Sequence, residues 1–282
     1  MSESSKDEEA RRRDGGGDDD RLLDGIRALN DRLGELEGVY VPAGRAGRAG
    51  RAGRAAQGAG RRVIPAWRRV TDGEARWQVT TAIAIAIALQ FAVPGQFVLL
   101  EPRWVLPAAQ IALAVVLLLA NPHRIDRQSQ VVRVLGLVLA ALISLANAWS
   151  AVALVLAIVR AKEHLKPPQL LGTGGAIWLT NVIIFALWYW EFDRGGPVAR
   201  AHATQLYPDF QFTQMVTPDM APPDWEPAFG DYLYLSFTNA AAFSPTDVLP
   251  LSRWAKAAMM LQAIVSVVTV ALVIARAVNI LQ

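Results

Sequence analysis

The sequence has no cysteine and only three histidines among its 282 residues. Without cysteine there is no disulfide framework, thiolate metal site or redox pair. His123, His164 and His202 stand in three different connecting segments, so a metal site with zinc-like spacing is not expected, nor any cofactor. No nucleophile–base pair and no paired intramembrane carboxylates are found, so the chain is not expected to be an enzyme. Charge is scarce as well: Asp, Glu, Lys and Arg make up 19% of the residues against 53% hydrophobic. With a mean hydropathy of +0.26, the chain is too apolar for an ordinary soluble domain.

The missing charge is concentrated. Runs 77–100, 104–123, 134–159, 167–190 and 257–275 contain no Asp, Glu, Lys or Arg and are 24, 20, 26, 24 and 19 residues long. Each is close to the roughly 20 residues that cross a hydrocarbon core about 30 Å thick. The expectation is an all-α integral membrane protein of about five transmembrane helices, multi-pass in the cell membrane. Residues 1–37 hold no apolar run, so no cleavable signal peptide is expected.

Residues 1–76 read as a soluble, mostly disordered, basic tail. Leu22, Ile26, Leu29, Leu33, Leu36 and Tyr40 alternate at spacings of four and three, a short coiled-coil-like seam over 22–40. A helix lying on the bilayer reads equally well from the same spacing. An Arg/Gly linker follows at 43–62, too rich in glycine to hold a helix. From Gly38 to Trp77 nine arginines face Asp72 and Glu74, a net +7 ending at the membrane. Arg61, Arg62, Arg68, Arg69 and Arg76 are therefore expected to meet anionic lipid headgroups. Aromatics near them are few and sit where interfacial tryptophans belong, so no nucleic acid is expected.

The membrane part divides into a three-helix region, 77–168, and a second region, 169–282. The second holds a helix at 170–190, a connection at 191–231, a re-entrant segment at 232–250 and a helix at 252–281. The connection carries seven acids against Arg194 and Arg200, a net −5. Within the apolar runs Gln90, Gln110, Asn147, Asn181 and Gln262 are expected as hydrogen-bonding links between helices. The stretch 232–246 is uncharged but too short to span. An apolar helix followed by the irregular Ser244, Pro245 and Thr246 predicts a re-entrant segment, which a membrane tolerates only where protein or water covers the backbone.

The run from Leu233 to Lys256, LYLSFTNAAAFSPTDVLPLSRWAK, resembles the pore helix, selectivity filter and inner-helix start of potassium channels. Tyr234 and Ser236 match the pore-helix pattern, Asp247 the filter aspartate, Pro250 the following proline, and Trp254, Ala255 and Lys256 the trio opening the inner helix. EFDRGGP at 191–197 resembles the turret after the outer helix. The resemblance covers about 170–282 without gaps. It departs at the filter, where Ala242, Phe243, Ser244, Pro245 and Thr246 stand in place of T-V-G-Y-G. Both glycines are gone and a proline fixes one φ, so a potassium-type filter is not expected.

The resemblance implies an oligomer of identical chains, a tetramer if channel-like. Two functions follow from it: an ion-channel-like protein passing ions without potassium selectivity, or a non-conducting scaffold or regulatory subunit. Gln262, Ser266 and Thr269 share one face of the last helix. That face either lines an aqueous path or packs against other helices. Topology is contested: the positive-inside rule puts the amino terminus in the cytoplasm, and five crossings then bring the pore-like loop in from the cytoplasmic side, opposite to the family's orientation. An inverted module, a segment 104–123 that does not fully cross, or an external amino terminus would each reconcile the two.

Overall fold

A computed structural model describes residues 65–120, 129–160, 166–242 and 247–281. The coiled-coil-like seam, the Arg/Gly linker with Arg61 and Arg62, and Phe243 to Thr246 lie outside the described residues.

Helix α1 is Trp77–Gln90, α2 is Val105–Ala120, α3 is Gln130–Val159 and α4 is Pro167–Phe192. After α4 come the short α5 (Pro197–Ala201), strand β1 (Phe210–Gln211) and α6 (Thr213–Val216). Then follow α7 (Phe229–Ala242), strand β2 (Leu249–Pro250) and α8 (Arg253–Leu281).

The expectation of about five crossings is corrected here. Among the described residues three helices are long and apolar enough to cross a membrane: Gln130–Val159, Pro167–Gly195 and Arg253–Ile280. Helices α1 and α2 have 14 and 16 residues; at 1.5 Å per residue they reach about 21 and 24 Å, short of a core about 30 Å thick. A run of uncharged residues is not a run of helix. Beyond Gln90 the chain closes with Ala92 N to Leu89 O and Val93 N to Gln90 O bonds, and extended Pro94 (φ −60°, ψ 147°) leads into a single turn at Gly95–Phe97. Asn121 and Pro122 follow α2 in sequence and disfavour its continuation. Helices α1 and α2 form an antiparallel pair, joined where Gln90 Nε2 donates to Gln110 Oε1 at 2.6 Å.

Helix α4 is the hub, packed against α1, α3, α7 and α8. Helix α8 buries one stripe, Ala255, Met259, Gln262, Ser266, Thr269, Val273 and Ala277, and leaves the opposite side apolar and open. Close approach of α4 and α8 depends on Gly174, where an added Cβ would stand 2.8 Å from both Val273 methyls. Valine has no flexible end to yield. Gly174→Ala is therefore expected to cost about 1–3 kcal/mol by overpacking. At exposed Gly172 an added Cβ meets nothing, and Gly172→Ala is expected to stabilise by up to about 1 kcal/mol through helix propensity. Thermal denaturation of both variants in detergent checks the contrast.

The stretch ahead of α1 packs onto the 191–231 connection. Trp67 is buried, and Glu74 is bonded to Trp190, Arg200 and Phe229. Both segments thus lie at one end of the helix layer. Because α1 and α2 pair as a hairpin, a shallow α2 does not move the connection to the opposite end.

Candidate functional site

Helix α7 starts at that same end, where the Asp231 carboxylate accepts from Ala228 N at 2.8 Å and Glu74 accepts from Phe229 N at 3.1 Å. Its chain returns to the same end: β2 pairs antiparallel with β1, Phe210 opposite Pro250 and Gln211 opposite Leu249, and Leu251 N donates to Asp209 O at 2.8 Å. The segment enters and leaves on one side, clasped between α4 and α8.

Four polar side chains of α7 and α8 make this clasp: Ser236, Asn239, Gln262 and Ser266. Gln262, wholly buried, donates through Nε2 to Ser236 O and Oγ at 2.9 and 2.7 Å. Its Oε1 accepts from Tyr189 OH of α4 at 2.7 Å and from Asn239 Nδ2 at 2.8 Å. Ser236 Oγ donates to Val182 O at 2.6 Å. One turn on, Ser266 Oγ donates to Ala240 O and accepts from Trp178 Nε1. Thr269 continues the same buried stripe. The face expected either to line a path or to pack thus packs: Gln262, Ser266 and Thr269 point into the protein. Periodicity placed them together without saying which way the face turned.

Of the filter-like positions, Ala242 ends α7 and is exposed, and Asp247 is exposed beyond the undescribed four. Thr213 Oγ1 donates to the Asp247 carbonyl at 3.0 Å, which ties the returning chain to α6. The outer side of α7 is open at Tyr234 and Phe237.

A buried ionic cluster supports the whole assembly from the connection. Arg200 donates through Nη2 to Glu74 Oε1 at 2.7 Å and through Nη1 to the Trp190 and Asp193 carbonyls at 2.6 and 3.0 Å. Burial opposes its charge, but the oxygens of Tyr232, Glu74 and Asp193 outweigh that and hold its pKa above the ordinary arginine value. Asp193 accepts from Asp209 N and Phe210 N through Oδ1 and from Tyr232 OH at 2.6 Å through Oδ2. Asp209 accepts from Arg194 N and from Trp254 Nε1. Arg194 sits at φ 54°, a left-handed conformation that turns its guanidinium onto the carbonyls of Gln205 and Trp67. Phe210 fills the space between the Tyr189, Tyr232 and Trp254 rings.

This cluster was not legible in the sequence. Glu74 and Arg200 are 126 residues apart, and no local pattern links them. It also changes the reading of the net −5. Glu191 lies 3.6 Å from Arg133, Asp193, Asp209 and Asp231 hold the donors above, and Glu226 accepts from Thr71 Oγ1 at 2.9 Å. Burial raises the Glu226 carboxyl above its usual range, with the Thr71 bond opposing. Of the seven acids only Asp219 and Asp224 are exposed.

Among the expected headgroup contacts, Arg68 and Arg69 are exposed; Arg68 lies over the Trp67 ring at 4.4 Å and Arg69 donates to Pro223 O at 3.2 Å. Arg76, just ahead of α1, is half-buried, and that burial lowers its pKa. The amides Gln110 and Asn181 are buried, each with its side-chain nitrogen lacking a hydrogen-bond partner among the described residues. No protein-family model, no curated protein and no solved structure matches the chain.

Proposed function

We propose that the chain is one subunit of an ion-channel-like membrane protein that passes cations without potassium selectivity. The observation that carries this is the re-entrant geometry of α7, entering and leaving at one end between α4 and α8. Irregular backbone at membrane depth needs cover from protein or water. With Ala242, Tyr234 and Phe237 open on one chain, further copies of the same chain, four in a channel-like assembly, supply that cover. The carboxyl end of α7 carries the negative pole of its dipole and the exposed Asp247 follows it, so the charge beside the opening favours cations. The glycine-free segment 242–246 argues against a potassium filter.

Reconstituted into vesicles, the protein is expected to carry sodium and potassium at similar rates. Asp247→Asn is expected to lower that flux about fivefold, the effect of roughly 1 kcal/mol per charge at a ring of subunits. Flux-free oligomers under every gradient would leave the second reading, a non-conducting scaffold or regulatory subunit. One observation favours that reading: with Gln262, Ser266 and Thr269 turned inward, the open side of α8 presents Met260, Leu261, Ile264, Val267 and Val268, an apolar lining that sheds water.

A further inference from the structure

The first turns of α1 and α3 and the last turns of α2 and α4 enclose a cavity of about 560 Å³, within the range of about 300–1,000 Å³ usual for ligand pockets. Its wall is apolar, with Val79, Ile83, Leu117, Leu139 and Leu187. Its polar groups gather at the ends of those helices: Arg76, Ser129, Gln130, Arg133 and Glu191. Trp77, two-thirds exposed at 66%, stands beside Arg76 as an interfacial tryptophan does. The cavity is amphipathic, apolar along its wall and polar where the helix ends meet.

We propose that this cavity binds one anionic phospholipid, its phosphate between Arg76 and Arg133 and an acyl chain along the apolar wall. Lipid tails are as apolar as leucine, so an apolar slot alone would take any lipid. Discrimination must come from the head. Among the described lining residues the guanidiniums of Arg76 and Arg133 outnumber the Glu191 carboxylate by one, and guanidinium forks suit phosphate oxygens. Arg133 lies 3.6 Å from Glu191, which fixes one guanidinium at the rim while half of its surface stays open at 51%. The site shares the last turn of α4 with the clasp but takes no lining residue from α7 or α8, and it stands whether or not that module conducts.

Gly136 provides a test that leaves the packing intact. It lies in the cavity wall, and an added Cβ there meets nothing within 4 Å, so the ring of Gly136→Phe projects into the space a lipid would fill. The full chain, stripped of lipid in detergent, is titrated separately with phosphatidylglycerol, phosphatidylcholine and inorganic phosphate and read by native mass spectrometry. One phosphatidylglycerol per chain is expected to bind about fivefold tighter than phosphatidylcholine, the factor for one net charge. Arg133→Gln, at a half-exposed side chain, is expected to erase that preference. Gly136→Phe is expected to lose the tight lipid at an unchanged melting temperature. Equal lipid retention by Gly136→Phe and the parent, no headgroup preference in the parent, or inorganic phosphate displacing the lipid at equal concentration would each overturn the proposal, the last by assigning the arginines to a soluble anion.

Discussion

Arg200→Met is expected to destabilise the protein by about 3–5 kcal/mol, the usual cost of leaving one member of a buried ion pair without the other. Both partners are enclosed: the Arg200 and Glu74 side chains are 4% and 8% exposed. Methionine replaces the aliphatic stem but none of the donors. Glu74 Oε1 then loses its cation while Oε2 keeps only Trp190 Nε1 and Phe229 N, and the Trp190 carbonyl at the end of α4 loses its 2.6 Å partner. Arg200→Lys is expected to recover little, because one ammonium cannot reach a carboxylate and two carbonyls in a planar fork. Adding Glu74→Gln to Arg200→Met removes the stranded charge and is expected to restore part of the loss. Thermal denaturation of the parent, Arg200→Met, Glu74→Gln alone and the double variant closes the double-mutant cycle. Additive losses would mean that the pair is not coupled.

The same cluster explains why the membrane part was legible and its support was not. Helices α3, α4 and α8 stand out because a membrane demands long uncharged runs, and such runs are visible one residue at a time. Where a run was interrupted by Pro94 and Gly95, counting charges could not see the break, and two short helices passed for crossings. Helix α7 was legible for the opposite reason: 232–246 is uncharged but too short to span, and the structure has helix there as far as Ala242. By contrast, the net −5 of 191–231 counts all seven acids alike. Counting assumes exposure, and exposure depends on partners such as Glu74 and Thr71 that lie far away in the chain. Asp193 accepts three hydrogen bonds, and no spacing rule within 191–231 shows that.

The direction of the α8 polar face is the finding on which the functional reading turns, and Gln262→Leu tests it. Leucine nearly matches glutamine in volume and removes four hydrogen bonds, two to Ser236 and one each from Tyr189 and Asn239. Asn239 Nδ2 retains Met259 O at 3.0 Å and Ser236 Oγ retains Val182 O. Tyr189 OH, in a wholly buried side chain, is left with no acceptor among the contacts of this cluster. One orphaned buried hydroxyl costs about 1–3 kcal/mol, and the lost bonds add about 1 kcal/mol each at most. A loss of about 2–4 kcal/mol is expected, seen as a lower thermal midpoint in detergent. Adding Tyr189→Phe should restore most of it, since replacing both partners by apolar groups of similar shape is nearly neutral. A Gln262→Leu protein as stable as the parent would mean that this side chain is not clasped between α4 and α7. The polar stripe would then be free to face a lumen, and the apolar open side of α8 would no longer count in favour of a closed scaffold.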